Sequence, residues 1–437
     1  MKNKTQMSPL SKPEYFWGPK DELSGTYYWN IKPDAAELKK LKQTVIKYSK
    51  AIKKTSNNAG LYSDRACAYL ELDEPEKALH DLHRALELVP DNDVFYSNRG
   101  DAYAEMGEQC KAFEDYGRAI AAAPGVANTY SNRGLAFLEV GDFTNALKDL
   151  NKALTLKGNK ADAYINRGQV YLFLNKSRKA IEDFKKALRL DYNSIYAHTF
   201  LAQAWRQLNE KEKAISELNT IIKLNPKLAF AYNNRGLIYF ERGDYEKAHS
   251  DLFKAMKLDP YAAEVYHNLG RLAAAALDKP ADAIKCLSLA IELDPDDSRY
   301  FIDRGNGYLH TGKYDRAIAD FTEAIRLSPR LPHAYCSRGV TCFCIGELES
   351  AIRDFAIAIK LAPRDPGMYG NRAMVYTEKS DYSKALADYT AAIKVDPKCA
   401  RAYHNRGALY QDMGKYKMAK SDSAKALKLD PDIAKAD

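Results

Sequence analysis

The sequence predicts an all-α protein in which short helix pairs stack side by side as an α-solenoid. The first reason is a 34-residue pattern that recurs along most of the chain and is clearest in residues 229–262. Counted from 1 at Ala229, position 20 is alanine in all eleven copies and position 32 is proline in nine. Each copy shows helical spacing before and after a central turn. A pair this short cannot bury its apolar side alone, so neighbouring copies must cover it.

The eleven copies, here called repeats 1 to 11, follow one another directly. They begin at Ala59, Asp93, Ala127, Ala161, Ile195, Ala229, Ala263, Ser298, Pro332, Pro366 and Ala400. Repeat 7 has 35 residues, because one extra residue lies in its inter-helix turn, where insertions are tolerated. The proline at position 32 ends the second helix and sets the turn into the next repeat. Gly158 and Tyr192 are the two exceptions.

The residues before the first clear repeat divide into two segments. Residues 1–24 have no helical period but carry the aromatic cluster Tyr15-Phe16-Trp17, so we expect an arm that packs partly on the array. A free tail with incidental aromatics is the alternative. Residues 25–58 form a degenerate leading repeat, with Tyr48 and Ala51 at positions 24 and 27 of the same register. Residues 59–433 are the eleven repeats, and 434–437 form a short tail.

Composition excludes several classes of protein. The net charge of +8 is interleaved with acids along the chain, which disfavours nucleic-acid binding. Seven cysteines form no CxxC pair, and no signal-like apolar run follows the amino terminus, so we expect reduced thiols and a cytoplasmic location. The most apolar run, near residues 271–277, is too short to span a bilayer. Sixteen of the 30 tyrosines occupy positions 4 and 11, where they are expected to pack.

Taken together, the positions form a recognisable signature: aromatic residues at 4 and 11, glycine or alanine at 8, alanine at 20 and 27, a bulky residue at 24 and proline at 32. Over about residues 59–433 the chain therefore resembles the tetratricopeptide repeat family. The resemblance implies a right-handed superhelix whose first helices line a concave groove. It also implies binding of an extended peptide or a protein partner, with no catalysis and no cofactor.

One recurring feature departs from that family, which favours leucine at position 7. Nine repeats instead have arginine at position 7 and aspartate at position 23. These pairs are Arg65 and Asp81, Arg99 and Asp115, Arg133 and Asp149, Arg167 and Asp183, Arg235 and Asp251, Arg304 and Asp320, Arg338 and Asp354, Arg372 and Asp388, and Arg406 and Asp422. The two repeats with Leu201 and Leu269 carry Glu217 and Cys286 at position 23. This joint exception predicts structural ion pairs between the two helices of one repeat; a basic ligand-binding stripe is the alternative.

A second recurring feature is asparagine at position 6, which faces the groove in the family. The asparagines are Asn98, Asn132, Asn166, Asn234, Asn268, Asn371 and Asn405. The series resembles the asparagine ladder in the groove of the O-linked N-acetylglucosamine transferases. Because a side-chain amide both donates and accepts, such a ladder can hold a peptide backbone. The alternative is that asparagine merely suits an exposed early-helix position. Phe200, Asp303 and Ser337 interrupt the ladder.

Nothing in the sequence indicates catalysis or a metal. The chain has no phosphate loop, no nucleophile elbow and no HExxH motif, and His333, Cys336 and Cys344 are not spaced to converge on one ion. No lysine stands at position 5, which disfavours the family's clamp for acidic peptide termini. We therefore predict a non-catalytic protein-interaction scaffold, monomeric by itself, with a basic carboxy-terminal face. The alternatives are a structural protein that assembles end to end and a regulatory subunit of an enzyme complex.

Overall fold

The computed structural model describes residues 35–276 and 278–433, so the predicted arm at 1–24 and the tail at 434–437 lie outside the described residues. The described residues form 23 α-helices and no strand. They are α1 (Ala35–Lys54), α2 (Ala59–Leu70), α3 (Pro75–Leu88), α4 (Asp93–Glu105), α5 (Gln109–Ala122), α6 (Ala127–Glu139), α7 (Phe143–Leu156), α8 (Ala161–Phe173), α9 (Ser177–Leu190), α10 (Ile195–Gln207), α11 (Lys211–Leu224), α12 (Ala229–Arg242), α13 (Tyr245–Leu258), α14 (Ala263–Ala275), α15 (Pro280–Leu293), α16 (Ser298–His310), α17 (Tyr314–Leu327), α18 (Pro332–Cys344), α19 (Leu348–Leu361), α20 (Pro366–Glu378), α21 (Tyr382–Val395), α22 (Ala400–Asp412) and α23 (Tyr416–Leu429). Every even-numbered helix begins at the first residue of a predicted repeat, which confirms the predicted α-solenoid of helix pairs.

The inter-helix turn has the same backbone geometry in every repeat except repeat 7, whose turn has one extra residue. Its central residue, at position 15, has a positive φ, which is 78° at Gly141 and 55° at Asn175. Six repeats use glycine there, and the others use aspartate, asparagine or serine. Glycine adopts this left-handed conformation without steric cost, and aspartate and asparagine tolerate it better than most side chains. The turn is therefore a local property of each repeat.

Small residues let the two helices of a repeat approach each other. The position 20 alanines are buried, and Ala146, Ala180 and Ala214 have no exposed surface. At position 8, a Cβ added to Gly168 would lie only 2.4 Å from Cε1 of Phe184, so the ring occupies the space that a side chain would need. In repeats 1 to 5 and 7 to 10, the large position 24 side chain of the other helix fills this gap and closes the core, whereas repeat 11 has Ser423 there.

The helices group into two compact units, of which one contains residues 35–244 and the other residues 245–433. In the first unit, α2, α4, α6, α8 and α10 pack against one another in succession. In the second unit, α14, α16, α18, α20 and α22 do the same. Successive second helices show no comparable contact within the described ranges. The first helices are therefore closer together, so each unit curves with its first helices on the inside, here called the inner face.

The leading segment contributes one continuous helix. α1 runs unbroken through residues 38–40, where a helix pair in register would turn, and it packs against α2. The first half of the predicted leading repeat lies outside the described residues apart from the start of α1. Among residues 35–276 and 278–433, no helix combines the length and apolar character needed to cross a membrane.

Candidate peptide-binding face and its supporting ion pairs

The arginines of position 7 contact the aspartates of position 23 in eight repeats. In each, Nε and Nη2 of the guanidinium donate to the two oxygens of one carboxylate, at 2.6–3.0 Å. The aspartates are buried, and the side chain of Asp81 is only 1% exposed. This parallel geometry is the strongest form of an arginine–carboxylate pair. The ninth pair, Arg235 and Asp251, has its members in different units and stays a prediction.

Most of these arginines make a third contact that the sequence pattern did not predict. Nη1 of Arg167 donates to Oδ1 of Asn151 at 2.7 Å, and Nη1 of Arg65 donates to Oγ of Ser49 at 2.9 Å. Both acceptors stand at position 25 of the preceding repeat register. Equivalent contacts reach His83, Asn219, Ser288, Thr322 and Thr390. Each such arginine therefore joins the first helix of its own repeat to the second helix before it.

A signal for this third contact is present in the sequence. Where position 7 is leucine, position 25 of the preceding repeat is not a small polar residue, because Lys185 precedes Leu201 and Phe253 precedes Leu269. Seven of the nine arginines have serine, histidine, asparagine or threonine at that place. A comparison between neighbouring repeats, in addition to positions within one repeat, would have found it.

The tyrosines at positions 4 and 11 pack against the same arginines. The guanidinium carbon of Arg65 lies 5.9 Å from the ring centre of Tyr62 and 5.8 Å from that of Tyr69. The geometry recurs at Arg99, Arg235 and Arg406. Aromatic faces attract a guanidinium and shield it from water. The abundance of tyrosine is therefore tied to the abundance of arginine at position 7.

Repeat 5 replaces the arginine with a histidine at a different position. His198, at position 4, is buried, and its Nδ1 lies 2.6 Å from Oε2 of Glu217, while its Nε2 lies 3.0 Å from the backbone oxygen of Tyr192. The glutamate at position 23 is thus paired although Leu201 cannot reach it. In repeat 7, Leu269 is buried and Cys286 is half-buried, and burial raises the pKa of the Cys286 thiol. Position-by-position reasoning identified both exceptions but missed His198.

The asparagines of position 6 do not share one environment. Asn98, Asn132, Asn166, Asn371 and Asn405 are half-buried, whereas Asn234 and Asn268 are buried, with 3% of their surface exposed. A buried amide cannot serve as an open rung. The ladder predicted as seven equivalent groups therefore falls into two classes.

Three of the half-buried amides are held by the preceding repeat. Nδ2 of Asn98 donates to Oγ of Ser63 at 3.0 Å, and Nδ2 of Asn132 donates to Oδ2 of Asp101 at 3.0 Å. Nδ2 of Asn371 contacts Sγ of Cys336 at 3.4 Å. These contacts join successive first helices across the inner face. They also fix the direction in which each amide points.

Asp101 explains why the orientation of Asn132 is unambiguous. Its carboxylate accepts hydrogen bonds from Nδ2 of Asn132 and, at 2.7 Å, from the hydroxyl of Tyr116. Burial raises the pKa of Asp101 to about 6, although these two hydrogen bonds oppose the increase. Burial, with the charges of Asp101, Asp73 and Glu139, raises the pKa of Glu105 to about 7. Above these values the carboxylate of Asp101 can only accept, so the amide nitrogen must face it and Oδ1 must point elsewhere.

In the part of the chain that the structure describes, no group of three histidine, cysteine, aspartate or glutamate side chains is arranged to hold a metal ion. His333, Cys336 and Cys344 lie along α18 without such an arrangement.

These features define a class of protein: an α-solenoid of 34-residue helix pairs, in which each repeat is stabilised by its neighbours. Family models described as tetratricopeptide repeat match residues 63–127, 125–193, 165–229, 229–261, 263–297, 298–331 and 400–433. A model described as TPR repeat matches residues 373–414. The chain belongs to the tetratricopeptide repeat family.

Two solved structures are similar to the chain at low identity. One is the crystal structure of the APC/C hetero-tetramer Cut9-Hcn1, at 14% identity over 92% of this chain and 93% of that chain, with a TM-score of 0.49. The other is yeast Tom70, at 19% identity over 85% of this chain and 92% of that chain, with a TM-score of 0.41. A comparison with curated proteins gave no match.

Proposed function

We propose that this protein is a non-catalytic scaffold that binds an extended peptide, or such a segment of a protein partner, along its inner faces. The observation that carries the proposal is Asn132. Its Nδ2 is held by Asp101, and no donor within residues 35–276 or 278–433 reaches its Oδ1. This leaves a fixed acceptor on the first helix of repeat 3, where the family places its ligands.

The orientation narrows what such rungs can recognise. When the nitrogen is held by the preceding repeat, only the amide oxygen remains for a ligand, so the rung accepts from a peptide N–H group. Asn98 and Asn371 are held in the same manner, which places like acceptors on α4 and α20. An acceptor that is already oriented binds without losing side-chain entropy, which favours affinity. Because backbone N–H groups are common to all residues except proline, this mode tolerates many sequences.

The thiols agree with a reducing location. All seven cysteines are free thiols, and burial raises the pKa of Cys67 and of Cys336 to about 11, which leaves both unreactive. They support the cytoplasmic location that we propose. A regulatory subunit of an enzyme complex would use the same face, so the alternatives differ only in what the bound protein does.

The first test changes the peptide and leaves the protein intact. This is necessary because substituting the asparagines also removes contacts between repeats and so affects stability. Peptides are selected from a random displayed library on the full chain, and their affinity is measured by fluorescence polarisation. Methylating single backbone nitrogens of a selected peptide removes one N–H donor at a time. We expect roughly a 3- to 10-fold loss for each donor that meets a rung, from about 1 kcal/mol per hydrogen bond.

Two triple variants of the protein accompany the methylated peptides. Asn98→Ala, Asn132→Ala and Asn166→Ala together should weaken binding, with folding checked by circular dichroism. Glu114→Ala, Lys148→Ala and Glu182→Ala form the matched control, since these exposed residues lie on the second helices of the same three repeats. Affinity that is insensitive to every methylation, or lost in the control variant alone, would overturn the proposal.

A further inference from the structure

A buried histidine links two successive first helices in the second unit. His267 on α14 is 3% exposed, and its Nε2 lies 2.7 Å from Oδ2 of Asp303 on α16. Its other ring nitrogen, Nδ1, is buried and lies 3.9 Å from Oε1 of Glu264, one turn earlier on α14. Both nitrogens therefore face carboxylates. A neutral imidazole has one N–H group and the imidazolium has two, so only the charged ring suits both neighbours.

The remaining charges near the ring come from α16. Arg299 donates to Oε2 of Glu264 at 3.2 Å and also pairs with Asp297, and the hydroxyl of Tyr300 lies 3.3 Å from the same glutamate oxygen. The ring of Tyr300 packs 4.8 Å from the ring of His267. In the described residues, α13 and α15 bring no ionisable group within hydrogen-bond distance of His267. Glu264 thus keeps a cation whatever the state of the histidine, whereas Asp303 depends on His267.

The contact between His267 and Asp303 lies where the regular pattern of the repeats is interrupted. Repeat 7 is one of the two repeats without an arginine at position 7, and Asp303 stands at position 6 of repeat 8, where seven other repeats have asparagine. A titratable link thus occurs where the permanently charged one is missing, and it involves a position of the proposed ladder. The arginine pairs of the other repeats stay charged at any pH that the protein tolerates.

We propose that His267 is a pH-sensitive clasp between α14 and α16, closed when the ring is protonated and loosened when it is neutral. A neutral ring can still donate to Asp303 from Nε2, but its Nδ1 lone pair then faces the carboxylate of Glu264. The attraction between a charged ring and the two carboxylates is lost. Loosening frees the Asp303 carboxylate on the inner face, where a partner's cation or N–H group can reach it. This last consequence rests on the proposed peptide-binding function, whereas the clasp itself does not.

The electrostatics agree with this geometry. Burial acts to lower the pKa of His267, but the hydrogen bonds and charges of Asp303 and Glu264 outweigh it and raise the pKa above its usual range. Burial alone would raise the pKa of Glu264, yet His267 and Arg299 lower it to about 2. Because the folded-state pKa of His267 is raised, its stabilisation is complete below the unfolded value, near 6.5, and is lost as the pH rises through the folded value.

The clasp is tested in the full chain by nuclear magnetic resonance of labelled histidine. The signal of His267 is assigned as the one missing in His267→Gln, and the other seven histidines serve as references in the same spectra. We expect His267 to titrate at a higher pH than free histidine, and Asp303→Asn to move its midpoint towards the free value. A His267 midpoint at or below that of free histidine, or one unchanged in Asp303→Asn, would overturn the clasp.

Two further readouts separate the clasp from its consequence. The urea midpoint of the wild type should fall more than that of His267→Gln as the pH rises through the His267 transition, because Asp101 and Glu105 titrate in both proteins. If the mutant does not fold, Asp303→Asn provides the same comparison. The affinity of a peptide selected at pH 6 should then change across the transition by more in the wild type than in His267→Gln. Normal titration with an unchanged affinity would overturn the regulatory role, and absence of any peptide binding would overturn the proposed function while leaving the clasp.

Discussion

At the residue scale, the position 7 arginine does more than neutralise one carboxylate. Arg167 donates to both oxygens of Asp183 and to Asn151 of the preceding repeat, and its guanidinium carbon lies 5.6 Å from the ring centre of Tyr164. Asp183 is 2% exposed, and its other cation, the ammonium of Lys186, lies 4.0 Å from its Oδ1. The interaction therefore stabilises the stack mainly because breaking it is costly.

This leads to a prediction for Arg167→Ala. It should lower the free energy of unfolding by about 3–5 kcal/mol, because a buried carboxylate loses both of its hydrogen bonds to arginine and keeps only Lys186, 4.0 Å away, whereas Arg167→Met with Asp183→Leu should cost far less. Urea unfolding followed by the fluorescence of Trp205, which packs beside repeat 4, measures the change. Arg178→Ala is the control, as that arginine is exposed on α9. Equal losses in Arg167→Ala and Arg178→Ala would show that the pair has no structural role.

At the element scale, repeat 5 shows that one helix pair can satisfy the same requirement in a different manner. His198 and Glu217 join α10 to α11 where an arginine and an aspartate join the helices of eight other repeats. Leu201 fills the vacated position 7 and is 2% exposed. Lys185 stands at position 25 of repeat 4, the position that an arginine introduced in place of Leu201 would contact. The two positive charges would then repel each other. The element thus forms a consistent set of four residues, and changing one of them alone creates a conflict.

We therefore predict how the free energy of unfolding responds when these four residues are substituted singly or together. Leu201→Arg alone should destabilise the chain by about 3–5 kcal/mol, because it introduces a buried cation beside Lys185 while His198 already occupies the carboxylate of Glu217. Adding His198→Tyr, Glu217→Asp and Lys185→Asn reproduces the arrangement around Arg167 and should recover most of the loss. Both variants are compared by urea unfolding with the same Trp205 signal. A fourfold variant no more stable than Leu201→Arg would refute the idea that these positions act as a set.

At the scale of the whole molecule, the exposed surface of α23 combines positive charge with apolar side chains. α23 carries Lys417, Lys420, Lys425 and Lys428 in exposed positions, and Ser423 at position 24 is exposed as well. The same helix also exposes Tyr416 at 71%, Met418 at 51% and Leu427 at 45%, which the sequence pattern did not single out. Charge repulsion and apolar attraction therefore oppose each other on one surface.

The balance predicts a salt-dependent mass. At physiological ionic strength we expect a monomer of 49.2 kDa, because the lysines of two copies repel each other. At about 1 M salt the charges are screened within about 3 Å, so the apolar side chains should promote association. Light scattering over a concentration series at both salt levels measures this. Dimers or filaments at physiological salt would favour the end-to-end structural alternative instead.

The sequence by itself determined the features that repeat. The starts of all eleven first helices, the turns and the spacing of the Arg167–Asp183 type of pair follow from its 34-residue period, because these features depend on residues of one repeat. Helical spacing within each repeat, together with proline and alanine at fixed positions, is enough to predict these features. The same holds for the family, whose signature is a list of positions within one repeat.

Only the tertiary structure decided the features that join one repeat to another or that break the period. The link between His267 and Asp303 and the division of the asparagines into half-buried and buried classes both depend on which side chains meet across neighbouring helices. His198 reaches Glu217 from position 4, which no comparison of equivalent positions reveals. A period specifies where each residue stands in its own repeat, but packing between repeats decides which neighbours it meets, and those contacts control charge, burial and access to the inner face.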